Sequence, residues 1–201
     1  MKNTVIISIL LLSILALTII SNQEKKSLNL GEILFVQFNA KENGSFAILT
    51  KVAVLPNTII QFTDSKWNGN HFGFKESNMT WNSGRDTINA GEVVRFYNLK
   101  KSASVSHGSI KGTMNLSSRK DAIFAYSGYE RMPQEFLAAA ANDRSAYGTL
   151  INTQLEENKT AVTFPKDSVY LIYTMSSDSI YRLRFSKTLK NSQKYAVEYY
   201  D

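Results

Sequence analysis

From residue 31 onward the chain is a succession of short runs in which β-branched or aromatic residues recur. These are Glu32 to Phe38, Ser45 to Val54, Thr58 to Thr63, Glu92 to Tyr97, Ser104 to Ile110, Asp121 to Tyr126, Thr160 to Phe164, Val169 to Thr174, Ser179 to Phe185 and Lys194 to Tyr199. Gly, Asn, Asp, Ser or Pro bounds most of them, which is the pattern of strands separated by turns. Short strands at this spacing predict a mostly β fold, an antiparallel β-sandwich. Asn43-Gly44 lies between two apolar runs and supplies backbone angles for a tight reversal, so Glu32 to Phe38 and Ser45 to Val54 are expected to form a hairpin. Pro56-Asn57 and Asn89-Ala90-Gly91 mark further breaks. Trp67 to Asp86 has too few apolar residues in period for a regular strand and reads as a long loop. One segment predicts a helix: residues 133–142, where Pro133 and Glu135 suit a first turn and Ala138 to Ala141 have the highest intrinsic helix propensity.

The N-terminus follows a different pattern. Lys2 precedes an apolar run from Val5 to Ile20, relieved only by Ser8, Ser13 and Thr18, and Ser21 supplies a small residue after it. Charged start, apolar middle and small residue predict a secretory signal peptide over 1–21. A helix over 5–20 would be roughly 24 Å long, shorter than the ~30 Å hydrocarbon core of a bilayer. Ile19 is bulky for a cleavage site, so an uncleaved N-terminal anchor is the alternative, with membrane contact through 5–20 alone. Residues 22–30 read as a polar linker and 31–201 as one domain, ordered from Gly31, on a protein that is secreted, periplasmic or at the cell surface.

Composition narrows the chemistry. With Cys 0 there is no thiol catalysis, no cysteine metal site and no disulfide framework. Lys+Arg 23 against Asp+Glu 17 is a mild basic bias without a dense block, so no specific nucleic-acid partner is expected. Arg182 and Arg184 alternate with Tyr181, Leu183 and Phe185 and would share one face of a strand, a surface suited to an acidic or phosphate-rich partner.

Several landmarks carry a resemblance. Gly31-Glu32-Ile33-Leu34-Phe35, then Phe46-Ala47, then Asn57-Thr58-Ile59-Ile60-Gln61-Phe62-Thr63-Asp64-Ser65-Lys66-Trp67 resemble the opening of a β-sandwich module found in secreted and surface bacterial proteins. Glu76, Trp81, Ala90-Gly91-Glu92-Val93-Val94 and Asp121 to Gly128 resemble its later elements, so the likeness runs from Gly31 to Tyr173. In size and strand order the chain is similar to lamin-tail-like, immunoglobulin-type sandwiches. The resemblance implies that fold and an extracellular setting, and no activity. Asn57 and Glu92 depart from the glycine and threonine usual there; Asn tolerates left-handed backbone angles.

Candidate chemistry gathers between Asp64 and Trp81. Asp64, Asn68 and Glu76 offer oxygen ligands of the kind calcium takes, although their spacing is not that of an EF-hand; turn capping is the competing role. Trp67, His71, Phe72, Phe74 and Trp81 form an aromatic set that would serve as a contact surface for an extracellular protein or glycan if exposed. The competing role for Trp67 and Trp81 is to plug the end of the sandwich. His71 and His107 are the only histidines, no Gly-x-Ser-x-Gly elbow occurs, and no phosphate-cradling loop or dinucleotide fingerprint is present, so no residue is assigned as catalytic. The reading is an exported, non-enzymatic binding module that uses the 64–81 loop, with no cofactor unless calcium. Alternatives are a secreted hydrolase acting on a polymer, using His71 or His107 with Asp64 or Glu76, and a structural envelope component.

Overall fold

The computed structural model describes residues 27–74 and 76–164, together with the backbone of 170–174 and 182–186. The proposed signal helix at 1–21, most of the linker and the 194–199 run lie outside the described residues. The described residues form twelve strands in two sheets: β1 (Ile33–Asn39), β2 (Ser45–Thr50), β3 (Ile59–Thr63), β4 (Asn78–Asn82), β5 (Val93–Tyr97), β6 (Ser104–Val105), β7 (Ser109–Gly112), β8 (Ala122–Tyr129), β9 (Met132–Ala141), β10 (Ala161–Thr163), β11 (Tyr170–Thr174) and β12 (Arg182–Ser186). The first sheet has the order β12-β11-β1-β2-β5-β6 and the second β10-β9-β8-β3-β4-β7. Every pairing is antiparallel except β9 with β10. Among the described residues, no helix is long and apolar enough to cross a membrane.

The mostly β reading is thus seen, and the expected β1–β2 hairpin forms, with Ile33 opposite Thr50 and Asn39 opposite Ser45. Between the sheets the apolar faces meet in an aromatic core. Phe35, Phe46 and Phe96 from the first sheet contact Phe62 and Trp81 from the second; Phe46 stacks on Phe96 at 4.4 Å, and Phe62 meets them at 5.0 and 5.1 Å. Offset and edge-to-face rings of this kind add about 0.5–1.5 kcal/mol per pair beyond the area they bury.

Four expectations need correction. Residues 133–142 are not a helix: Met132 to Ala141 is strand β9, hydrogen-bonded to β8 and, at Ala139 to Ala141, to β10. Alanine's helix preference, at most a few tenths of a kcal/mol per residue over other good formers, is overridden because both faces of the strand are covered. Ala138 and Ala140 face the core between the sheets, and Ala139 and Ala141 face a second apolar cluster on the outer side. The Trp67 to Asp86 region is not loop throughout, since Asn78 to Asn82 is a strand with Met79 and Trp81 inward. Ser104 to Ile110 is not one strand: the chain leaves the first sheet after Val105 and joins the second at Ser109. Finally, order begins before Gly31, because Leu28 is buried in the core.

Since β9 is covered on both faces, Ala138→Leu and Ala139→Leu should each destabilise the protein by about 1–3 kcal/mol through overpacking. Urea unfolding midpoints test this; a neutral result for either one would mean that its face is open.

Candidate functional site

The outer face of the second sheet carries a layer of loops. Trp67 and Phe72 from the 64–77 segment, with Ala146, Tyr147 and Leu155 from the 142–160 segment, pack on Phe124, Tyr126, Phe136, Ala139 and Ala141. The rings of Trp67 and Phe72 lie 5.0 Å apart, and that of Phe136 is 5.0 Å from Trp67. Only small side chains at 139 and 141 let these rings approach the strand. The two loop segments are joined through Trp67, whose backbone N–H donates to Tyr147 O and whose carbonyl accepts from Thr149 N, each at 3.0 Å. Gly148 sits between them with φ 77, where a Cβ would fall 2.3 Å from the Trp67 carbonyl oxygen, so a side chain cannot occupy this position. Trp67 Nε1 donates to Ile151 O at 2.8 Å.

Arg131, at the β8–β9 turn, ties down the other side. Its guanidinium donates to the carbonyls of Gly73 (2.8 Å) and Glu76 (2.6 Å), and its backbone N–H donates to the Tyr126 hydroxyl at 2.9 Å. That hydroxyl donates in turn to Asn78 Oδ1 at 2.9 Å, and Gln61 Oε1 accepts from Asn78 Nδ2 and Thr80 Oγ1. Burial raises the Tyr126 phenol to about 12, so it stays neutral as this network requires.

The residues singled out in the sequence therefore separate into two groups. Trp67, Phe72 and Trp81 are buried; Trp81 lies in the core between the sheets, with Nε1 donating to His107 O at 2.8 Å. Their apolar surface is spent on packing, Trp67 beneath the loop layer outside the second sheet and Trp81 between the sheets. His71 and Phe74 lie at the surface with ring centres 5.4 Å apart, and Phe74 is 78% exposed. His71 Nδ1 lies 3.0 Å from Phe72 O and Nε2 lies 2.9 Å from Asn68 Nδ2, so a ring protonated on Nδ1 satisfies both contacts.

The oxygen set is occupied differently from a metal shell. Asp64 is buried, and its oxygens accept from Ser77 N (2.6 Å) and Asn115 N (3.3 Å). Asn68 Oδ1 caps the 68–71 turn by accepting from the N–H groups of Asn70 and His71. Glu76 is raised by burial and by the charge of Asp64, against the opposing pull of Lys66 and Arg131. Among the described residues no group of three or more His, Cys, Asp or Glu side chains converges as it would around a metal ion.

A separate arrangement was not legible as a unit in the sequence. Ser106 Oγ lies 3.0 Å from His107 Nδ1, His107 Nε2 lies 3.6 Å from Glu92 Oε2, and Ser106 Oγ accepts from Arg95 N at 3.0 Å. A serine, histidine and carboxylate in a row form the elements of a nucleophilic relay. Both side chains are open to water, His107 at 43% and Glu92 at 36% exposure, so the surroundings add little electrostatic stabilisation of a reacting centre.

No family model, no curated protein and no solved structure matches the chain.

Asp121 anchors the 113–121 loop at the end of the same sheet, its oxygens accepting from Ser117 N (2.7 Å) and Ala122 N (2.9 Å). Burial outweighs these bonds and, with the charges of Asp64 and Glu76, lifts the carboxyl from 3.8 to about 6. A carboxyl that holds its proton more tightly when folded stabilises the fold fully below pH 3.8 and loses that contribution as pH rises through about 6. Asp64, raised by burial, acts in the same direction. Stability is thus expected to fall between pH 4 and 6, and Asp121→Asn should flatten that slope whatever the loss of one acceptor does to its absolute height. Urea unfolding across pH 4 to 7 checks this; an unchanged slope would count against the assignment.

Proposed function

We propose that this chain is an exported, non-enzymatic binding module, a lamin-tail-like sandwich that meets an extracellular protein or glycan through the loop layer over its second sheet. The observation that carries the reading is the layer itself: two loop segments clamped by buried aromatic side chains and by Arg131, holding His71 and Phe74 outward. A loop pre-ordered in this way loses little entropy on binding, and exposed aromatic area is the surface from which contact energy is most readily gained. The sequence resemblance is supported by two opposed sheets, with its first motif leading into β1 and β2 and its Phe-Thr-Asp motif closing β3. Export is supported by the apolar run after Lys2.

The Ser106, His107 and Glu92 alignment favours a second reading, hydrolysis, at a place other than the 64–81 loop. It predicts turnover of p-nitrophenyl acetate that Ser106→Ala removes; turnover unaffected by that change would discard it.

For the binding reading, the full chain should co-sediment with isolated envelope material of the producing cell. Phe74→Ala combined with His71→Ala should weaken retention about ten-fold, the scale of a lost contact residue, without altering the melting temperature. Retention equal to that of the unaltered protein, or none by the unaltered protein, would overturn the reading.

A further inference from the structure

We infer that the cleft between the first half of β9 and the 152–154 loop is a binding site for one neutral sugar residue of a saccharide, a reading that deepens the binding-module proposal and rests on it.

The cleft exists because β10 pairs with β9 only at Ala139 to Ala141, so that among the described residues no strand lies beside the edge at 133–136. The N-terminal segment closes one end, with Gly31 N donating to Leu137 O at 2.8 Å and Leu30 N donating to Glu135 Oε1 at 3.0 Å. Leu30, Trp67, Glu135, Phe136, Asn152 and Gln154 are among the residues lining a volume of about 290 Å³. Ligand sites run from about 300 Å³ upward, so this one suits a single ring and not an extended molecule.

Both walls are held in unusual backbone geometry. On the β9 side the register with β8 slips between Ser127 and Gly128, leaving Gln134, one of the lining residues, without a partner on β8. Gly128 makes this possible: at φ 120 a Cβ would lie 2.5 Å from Met132 O and 2.8 Å from Gln134 N. Bulges recur beside binding sites because they re-aim a side chain. On the opposite wall Asn152 and Gln154 both adopt left-handed angles, φ 62 and φ 59. Asn takes such an angle readily, whereas Gln154 does so less often. Here Asn152 Nδ2 donates to Gly69 O at 2.9 Å, and the Thr153 hydroxyl donates to Leu150 O and accepts from Leu155 N.

The chemistry of the lining selects the ligand. Glu135 contributes a carboxylate, Gln134, Asn152 and Gln154 contribute amides, and among the described residues neither Lys nor Arg lines the cleft, which disfavours phosphate, sulfate or carboxylate groups. An apolar guest would find little surface, since Trp67 is only 5% exposed and Phe136 7%. A neutral polyhydroxylated ring donates to the carboxylate and accepts from the amides, with the half-buried Leu30 at its edge.

The protein has only two tryptophans, and they supply a test with an internal control: Trp67 borders the cleft and Trp81 lies in the core. The full chain, labelled with nitrogen-15, is titrated with methyl glycosides of glucose, galactose, mannose and N-acetylglucosamine and with their disaccharides to about 10 mM, the range of weak single-site binding. At least one of these should move the Trp67 indole signal saturably while the Trp81 signal stays in place. Glu135→Gln and Gln154→Ala should each weaken that binding about ten-fold, as expected for one lost hydrogen bond to a charged or polar partner. No shift with any saccharide, equal movement of both signals, a larger shift with inorganic phosphate or a glycine-serine peptide, or unchanged affinity in both variants would overturn the inference. If the Trp67 signal does not move but the Phe74 and His71 changes still abolish envelope retention, the sugar site fails and the binding module stands.

Discussion

The structure depends on one strand being apolar on both sides and small on both. Ala138 and Ala140 of β9 complete the core between the sheets, while Ala139 and Ala141 form the floor on which Trp67, Phe72 and Tyr147 sit. Any larger residue on the outer side would lift the loop layer away, and any polar one would leave an unpaired group among aromatic rings. Because the same backbone serves both clusters, the sandwich and its loop layer are built as one body. Everything assigned to the loop layer follows from that: the position of Phe74, the clamp by Arg131, and the cleft beside Glu135.

Polar groups in the layer are chosen to fix backbone and not to hold charge. Asp64, Asn68, Asp121 and Asn142 each accept from backbone N–H groups in segments that have no strand partner. Buried backbone donors must be satisfied, and in a layer of loops side-chain oxygens do what a sheet neighbour does elsewhere. This explains why acidic and amide residues are frequent between 64 and 121 without forming a metal shell among the described residues. It also carries a cost, since burial raises the carboxyls of Asp64 and Asp121.

Much of the β architecture was legible because its signal is local. Glu32 to Phe38 and Ser45 to Val54 flank Asn43-Gly44, and apolar runs bounded by turn residues need no knowledge of neighbours. Strand β4 was missed for a compositional reason: Asn78, Thr80 and Asn82 face outward and conceal an inward pair, Met79 and Trp81, of only two residues. Strand β9 was missed for a physical one. Alanine's propensity is local, but its burial on two faces is decided by partners at 122–126, 161–163 and in the 64–77 loop. The candidate site divides similarly. An aromatic, polar segment at 64–81 could be picked out, whereas which rings point outward, the alignment of Ser106, His107 and Glu92, and the meeting of Glu135 with Asn152 and Gln154 depend on tertiary contacts.

The central claim is that β9 couples the sandwich and the loop layer into one cooperative unit, and native-state hydrogen exchange reads this most directly. The account predicts that the amides of Trp67, Gly73 and Thr149, each hydrogen-bonded within the layer, open with the same free energy and denaturant dependence as those of Ala138 to Ala141. Exchange of the layer amides through local opening, independent of denaturant while β9 stays protected, would contradict it.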